Sequence, residues 1–297
     1  MSHIVVETAG NVGILTIDRP ERFNSLDVET ARDLRRAGIQ LCRDASVRAV
    51  VLRGSHGIFC SGADLKYIRG GGDSADLGYL KPASGAAADL ARGSVAGSDN
   101  PRAGLPAAPR YGDVFKQILE YIHSTISEIR RAAKPFIAAV DGVAAAGGFG
   151  LAMSCDLVFA SERATFEWAY AKTSLTGAES STFFLPRLLG FRRAMDLMLL
   201  NPRLTAAKAL EMGLVSGTFP VETFDAEVMA VAAKLAAGPT EALGIAKALM
   251  NQAAGMDRLD MHLDHELEQL ARIANGDNFA EGLAAFFEKR APEFAER

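Results

Sequence analysis

The sequence predicts an α/β protein: a strand-and-helix core followed by a mainly helical C-terminal part. Short apolar runs at 48–53 and 136–140 have the unbroken character of strands covered on both faces. Between them lie stretches of helical period, such as Val114, Ile118, Ile122, Ile126 and Ile129. From Phe183 onward the pattern is helical, broken by one strand-like run at 214–216.

The elements follow in order. Residues 4–8 and 12–17 are β-rich runs around Ala9-Gly10-Asn11, a hairpin signal. Asp18-Arg19-Pro20 stops the second strand. Asp27 caps a helix with apolar positions at Ala31, Leu34, Ala37, Ile39 and Leu41. Strand 48–53 runs into a loop, 54–62, and Ala63-Asp64-Leu65-Lys66 opens another helix. Residues 70–112 are more than half Gly, Ala or Pro, and cannot bury much alone. They read as a mobile or partly disordered insertion, or as an active-site flap. Helix 113–131 follows. Then 134–153 reads as a buried strand, a sharp turn and a helix opening at Gly147-Gly148. A strand at 156–160 and an edge piece at 164–167 complete the core. Helices are expected at 192–200, 205–211, 225–236, 240–253, 259–273 and 278–290. The division expected is a core over 1–200 and a helical region over 201–297.

Composition excludes several classes. Of 297 residues, 49% are hydrophobic and 23% charged, as in soluble globular enzymes. A net charge of −4 points to neither nucleic acid nor an anionic membrane as partner. Residues 136–153 pass a crude hydropathy window, but Asp141 and four glycines argue against a membrane span. Cys42, Cys60 and Cys155 form no CxxC and no paired framework, so free thiols in a reducing compartment are expected. With no signal-peptide core at the start, a cytoplasmic location is expected. His262, Asp264 and His265 stand at helical spacing without a further ligand cluster and read as a charged helix surface, so no metal is expected. The glycines of 142–150 make no G-x-G-x-x-G, so no dinucleotide site is expected.

Two turns share one plan of strand, tight turn and helix N-terminus. One is Phe59-Cys60-Ser61-Gly62-Ala63-Asp64; the other is Ala144-Ala145-Ala146-Gly147-Gly148-Phe149-Gly150. Facing each other, they would aim one N–H apiece at a single oxygen, an oxyanion hole made of backbone. The plainer reading is a pair of packing corners.

In order and spacing, further pieces join these two turns. They are Arg19-Pro20 with Asn24-Ser25-Leu26, Lys134-Pro135-Phe136 through Val140-Asp141-Gly142, and Ser154-Cys155-Asp156. Then come Leu185-Pro186-Arg187-Leu188-Leu189-Gly190, Ala209-Leu210-Glu211-Met212-Gly213-Leu214-Val215 and Phe287-Glu288-Lys289-Arg290-Ala291-Pro292. With them the chain resembles the crotonase (enoyl-CoA hydratase/isomerase) superfamily over nearly its whole length. The resemblance implies a spiral of ββα units and a C-terminal helical region used to form a homotrimer or a dimer of trimers. It implies an acyl-CoA thioester substrate, with coenzyme A part of the substrate and no separate cofactor. It places the oxyanion N–H groups at Ala63 and Gly147. Coenzyme A contacts fall at Arg22, Ser25 and the backbone of Ser61. Lys66, Lys247 and Lys289, the last from a neighbouring helix or subunit, are candidate cations; for any one of them a solvated helix face is the plainer reading.

The chain also departs from the pattern. Hydratases resembling it carry two glutamates; their positions here are Gly150 and Tyr170, so two-carboxylate addition of water is not expected. Glu179 is the substitute acid. Counted from Phe166, Glu179 falls on the acid that some relatives (isomerases and a dehalogenase) place in this turn. Counted back from Gly190, that position is Ala178. As a helix-terminal carboxylate alone, Glu179 would contribute under about 1 kcal/mol. Tyr170 either donates a hydrogen bond, lines the acyl pocket or packs in the core; Trp168 is expected as a pocket wall. The expected chemistry is double-bond isomerisation through an enolate with Glu179 as acid/base. Hydration by a rearranged site, thioester hydrolysis, C–C cleavage and a silent acyl-CoA-binding paralogue are the rivals.

Overall fold

The computed structural model describes residues 2–72 and 110–295. Most of the insertion expected at 70–112 lies outside the described residues, as does its reading as a flap. The hairpin β1 (Ile4–Ala9) and β2 (Val12–Ile17) turns at Gly10, whose φ of 59° suits glycine. Helix α1 (Val28–Arg43) starts at Asp27, whose carboxylate accepts the Thr30 N–H at 2.8 Å.

A six-stranded sheet then forms in the order β1-β2-β3-β4-β6-β9, with β3 at Ala49–Gly54, β4 at Phe136–Val140, β6 at Leu157–Ser161 and β9 at Gly217–Phe219. It is parallel from β2 onward. Alternation along each strand divides the apolar residues between two faces. Leu15, Ile17, Val50, Leu52, Phe136, Ala138 and Val140 face the main core with α1 and α3 (Tyr111–Arg131). Val12, Ile14, Ala49, Val51, Ile137 and Ala139 meet Phe224, Val228, Ala232 and Ala236 of α8 (Phe224–Ala237). Cover on both faces is why these strands read as continuous apolar runs. Since β9 pairs into this sheet and α8 covers one of its faces, its layers draw on chain beyond residue 200. The strand-like run at 214–216 begins to pair at Ser216, whose N–H donates to Val158 O at 2.6 Å.

A second sheet has the order β5-β7-β8, formed by Val143–Ala145, Thr165–Glu167 and Leu204–Thr205. The piece at 164–167, expected as an edge, is therefore central, because Leu204 and Thr205 return to pair with it. The turn expected after β4 also contains a strand, β5. Gly142 makes the bend at φ 70°, where a β-carbon would lie 2.0 Å from Gly57 O. β4, β5 and α4 (Gly147–Met153) thus form a ββα unit, and β6, β7 and α5 (Ser181–Leu189) repeat it. This is the ββα spiral.

The remaining helices are α2 (Leu65–Arg69), α6 (Phe191–Leu200), α7 (Ala206–Glu211), α9 (Thr240–Ala253), α10 (Leu259–Ala274) and α11 (Asp277–Glu288). Helix α10 lies on α3 and sends Leu259, Leu263 and Leu270 into the core. Among the described residues no single helix is long and apolar enough to cross a membrane.

Candidate active site

The two glycine turns meet. Cys60 N–H donates to Val143 O and Ala145 N–H to Cys60 O, both at 3.0 Å, which ties the first turn to β5. On its other side, Leu26 N–H donates to Gly62 O and Asp64 N–H to Leu26 O, at 2.8 and 2.9 Å. These bonds use the peptide groups flanking Ala63 and leave its own N–H untaken. The N–H of Gly147 is also free, because the first residue of a helix has no intrahelical acceptor. Among the described residues neither N–H has a hydrogen-bond partner. Both residues line one cavity of about 420 Å³. A β-carbon at Gly62 would lie 2.9 Å from Gly147 N, so the turns are in contact. Ala146, between them, takes φ 46° and ψ −119°. That strained backbone costs about 1–3 kcal/mol, and Ala146 N–H donates to Glu167 O at 3.1 Å to hold it.

The first turn is anchored by charge. Asp64 is buried and accepts Arg19 at 2.9 Å, Arg22 at 2.7 Å and the N–H groups of Lys66 and Tyr67 at 3.0 Å. Burial opposes its ionisation, but the Tyr67 N–H and the two guanidinium groups outweigh burial and hold the carboxyl below its usual range. This ion cluster sets Arg22 at the cavity rim, where Ser25, Ser61 and Lys66 also lie. The Ser61 N–H is already committed to Phe23 O at 3.2 Å.

Glu179 brings a buried carboxyl to the cavity. Its turn follows Gly177, and its own φ is 50°, in the left-handed region. The residue is only 3% exposed yet lines the cavity. Its Oε2 accepts the Tyr170 hydroxyl, and a β-carbon at Gly147 would lie 2.7 Å from Oε1. The carboxyl therefore sits against the residue that offers one free N–H. Ala178 is buried beside it and offers its carbonyl to Tyr170 at 3.2 Å, so of the two candidate positions it is 179 that presents a carboxyl to the cavity. Burial pushes the Glu179 pKa up to about 8; the Tyr170 hydrogen bond works against that rise, and the neighbouring charge of Glu266 adds to it. Burial also raises the Tyr170 phenol well above its usual value, keeping it a donor.

The same turn explains Gly150. A β-carbon there would lie 2.2 Å from Glu179 O and 3.0 Å from Glu179 Cβ. The backbone that presents Glu179 fills the space that any side chain at 150 would need.

Two expected site residues lie elsewhere. Trp168 does not line the cavity. It packs behind Tyr170 with ring centroids 5.1 Å apart, and its Nε1 donates to Ser181 Oγ at 3.3 Å. The indole stays against Gly177, where it buries its apolar face and satisfies its N–H. Lys289, expected from a neighbouring helix or subunit, is exposed at the C-terminal end of α11 and does not line this chain's own cavity. Lys247 is likewise occupied, at 2.7 Å from both Asp156 and Ile129 O.

Other lining residues escaped sequence reasoning: Phe115, Leu175, Phe286 and Phe287 make an apolar wall, and Glu167 adds a further carboxyl. Burial opposes ionisation of Glu167, but Lys172 and Arg203 hold it below its usual range. Beneath the cavity, His123 Nε2 accepts the Glu179 N–H at 3.3 Å, and Glu266 accepts those of Ser180 and Thr182. A visible signal marked both residues. Glu266 interrupts the apolar stripe of Leu259, Leu263 and Leu270, and His123 sits among the isoleucines of α3.

A buried carboxyl against Gly147, two main-chain N–H groups without a partner among the described residues, and the cationic side chains of Arg22 and Lys66 share one cavity. Residues 7–85 and 115–297 match the enoyl-CoA hydratase/isomerase family model, and the chain belongs to that family. It is an acyl-CoA-processing enzyme of that type. It is 30% identical to 4-chlorobenzoyl coenzyme A dehalogenase-2 of Arthrobacter sp, over 97% of this chain and 91% of the relative. It is 31% identical to 1,2-epoxyphenylacetyl-CoA isomerase of Escherichia coli strain K12, over 99% and 98% of the two chains. Among solved structures, an enoyl-CoA hydratase from Mycobacterium avium subsp. paratuberculosis K-10 superposes with a TM-score of 0.79 at 28% identity, covering 99% of each chain.

Proposed function

We propose that this protein shifts the double bond of an enoyl-CoA thioester, with Glu179 as its single acid/base. The thioester oxygen accepts the N–H groups of Ala63 and Gly147. The Glu179 carboxylate takes a proton from one carbon, and the enolate charge that develops falls on those two donors. The protonated Glu179 then returns the proton to another carbon, so the atoms balance and no water is consumed. The observation that carries this reading is the Glu179 carboxyl lying against Gly147 within one cavity. A pKa of about 8 suits a group that must both take and return a proton near neutral pH. Gly150 supports it too, since the turn bearing Glu179 fills the place of a first hydratase-type acid. The relative named 1,2-epoxyphenylacetyl-CoA isomerase is consistent with isomerase chemistry on this scaffold.

One observation favours hydration as a second reading: Glu167 also lines the cavity. Its ion pairs with Lys172 and Arg203 leave it the weaker base. The test is to incubate the protein with 3-enoyl-CoA and, separately, 2-enoyl-CoA, and to resolve the products by mass. Isomerisation leaves mass unchanged; a water adduct as main product overturns the proposal.

Tyr170→Phe probes the base itself. The hydroxyl favours the charged carboxylate, and a hydrogen bond to a charged group contributes about 1.5–3 kcal/mol. Its loss raises the Glu179 pKa further and lowers the fraction of active base. The rate at pH 7 is expected to fall about 10–100-fold. A pH–rate profile should show the rising limb displaced to higher pH; an undisplaced limb would mean that the phenol does not act on Glu179.

A further inference from the structure

We propose that Glu266, on α10 and outside the cavity, is a positioning residue for Glu179: its carboxylate grips the backbone on the far side of the catalytic turn and holds Glu179 facing Gly147. The inference rests on the reading of Glu179 as the acid/base.

Glu179 and Ser180 are consecutive non-glycine residues in the left-handed region, with φ of 50° and 63°. Such a pair needs outside restraint. Helix α5 begins directly after it, and Ser180 supplies no side-chain cap. Glu266 takes that place from another helix. Its Oε2 accepts the Ser180 N–H at 2.8 Å, and its Oε1 accepts the Thr182 N–H at 3.1 Å together with the Thr182 hydroxyl. Glu266 is 6% exposed, so these bonds are made out of water, where a charged acceptor is at its strongest.

Several titratable groups face this carboxylate. From α3, His123 Nε2 stands 3.9 Å from Oε2. The same nitrogen accepts the Glu179 N–H, which requires the neutral ring. Burial agrees, pushing the His123 pKa down to about 4 against the opposing pull of Glu266 and Asp264. On α10 itself, His262 lies 3.6 Å from Oε1 and also contacts the Thr182 hydroxyl at 2.7 Å. Across the turn stand Tyr170 and Glu179. Glu266 thus fixes the turn and also places a like charge near the acid.

Two variants separate these effects. In Glu266→Gln the side chain keeps its size, loses its charge and turns an NH₂ toward one of the N–H donors. We expect kcat to fall about 10–100-fold, as for a small misplacement of a catalytic group, with KM within about twofold. The rising limb of the pH–rate profile should move to lower pH, because one of two like charges is gone. Glu266→Asp keeps the charge and withdraws the grip; kcat should fall while the limb stays near its original pH. A purely structural cap would lower the denaturation midpoint and leave both kcat and the limb unmoved. That result in folded Glu266→Gln overturns the proposal; if Glu266→Gln fails to fold, full activity in Glu266→Asp does so. Carbon NMR of glutamate-labelled protein, with the Glu179 signal assigned through Glu179→Gln, follows the same titration without turnover. Should Glu179→Gln remain fully active, the acid/base reading falls. A Glu179 signal that titrates identically with and without the Glu266 charge removes the like-charge effect, and an unchanged kcat in both Glu266 variants overturns the positioning claim.

Discussion

Glu179→Gln is expected to lower kcat about 10²–10⁴-fold, the range spanned by general acid–base catalysis, while KM for the thioester changes little. The amide is nearly isosteric and can still accept the Tyr170 hydroxyl, so the turn and the two N–H groups stay in place. What disappears is the atom that carries the proton. The same substitution has a stability consequence of opposite sign. Burial raises the Glu179 pKa to about 8, so the folded protein holds that proton more tightly than the unfolded chain does. The stability this contributes is complete at acidic pH and is lost as pH rises through the folded-state value. Glu179→Gln removes the ionisation, and should match the parent near pH 5 but exceed it above pH 8, by on the order of 3 kcal/mol. Urea unfolding at the two pH values measures the difference. Equal stability of the two proteins at high pH would show that the carboxyl is not desolvated, and the case for a poised base would go with it.

Much of this site was readable from residue order. The strands follow from apolar runs that two-sided cover demands, and Asp27 caps α1 because a short acidic side chain before a helical period has one obvious acceptor role. The two turns that offer free N–H groups were visible as glycine-bearing junctions between strand and helix. Interlayer pairing was not readable. β5 has three residues and β8 has two, too short for any periodicity, and only their partner β7 makes them strands. Trp168 and Tyr170 illustrate a second limit. They are two positions apart with similar aromatic character, yet only the tyrosine faces the cavity. The 3₁₀ turn Tyr170–Thr173, which follows Ala169 at φ 63°, decides which ring points inward, and local sequence does not fix that turn. His123 and Glu266 were marked by polarity on an apolar stripe, but what they grip comes from a segment far away in the chain.

Gly150→Glu would place an acid where the resemblance to hydratases implies one, and is expected to disrupt the site. A β-carbon there meets Glu179 O at 2.2 Å and Glu179 C at 3.0 Å. Both are backbone atoms of a turn already fixed by His123 and Glu266, so neither can yield cheaply. Overpacking of this kind costs about 1–3 kcal/mol even where side chains can adjust, and more is expected here. Gly147→Ala makes the useful contrast. Its β-carbon meets Glu179 Oε1 at 2.7 Å and Cδ at 2.9 Å, the far end of a side chain held by Tyr170 rather than fixed backbone, which can shift. That variant should keep its denaturation midpoint within a few degrees of the parent yet lose about 10²-fold in kcat, through a displaced base. Thermal unfolding followed by a rate assay on each variant tests the pair together. A folded Gly150→Glu that adds water to 2-enoyl-CoA would show that the two acids can coexist. The opposite is expected, because in this protein the turn that presents Glu179 and a side chain at position 150 compete for one volume.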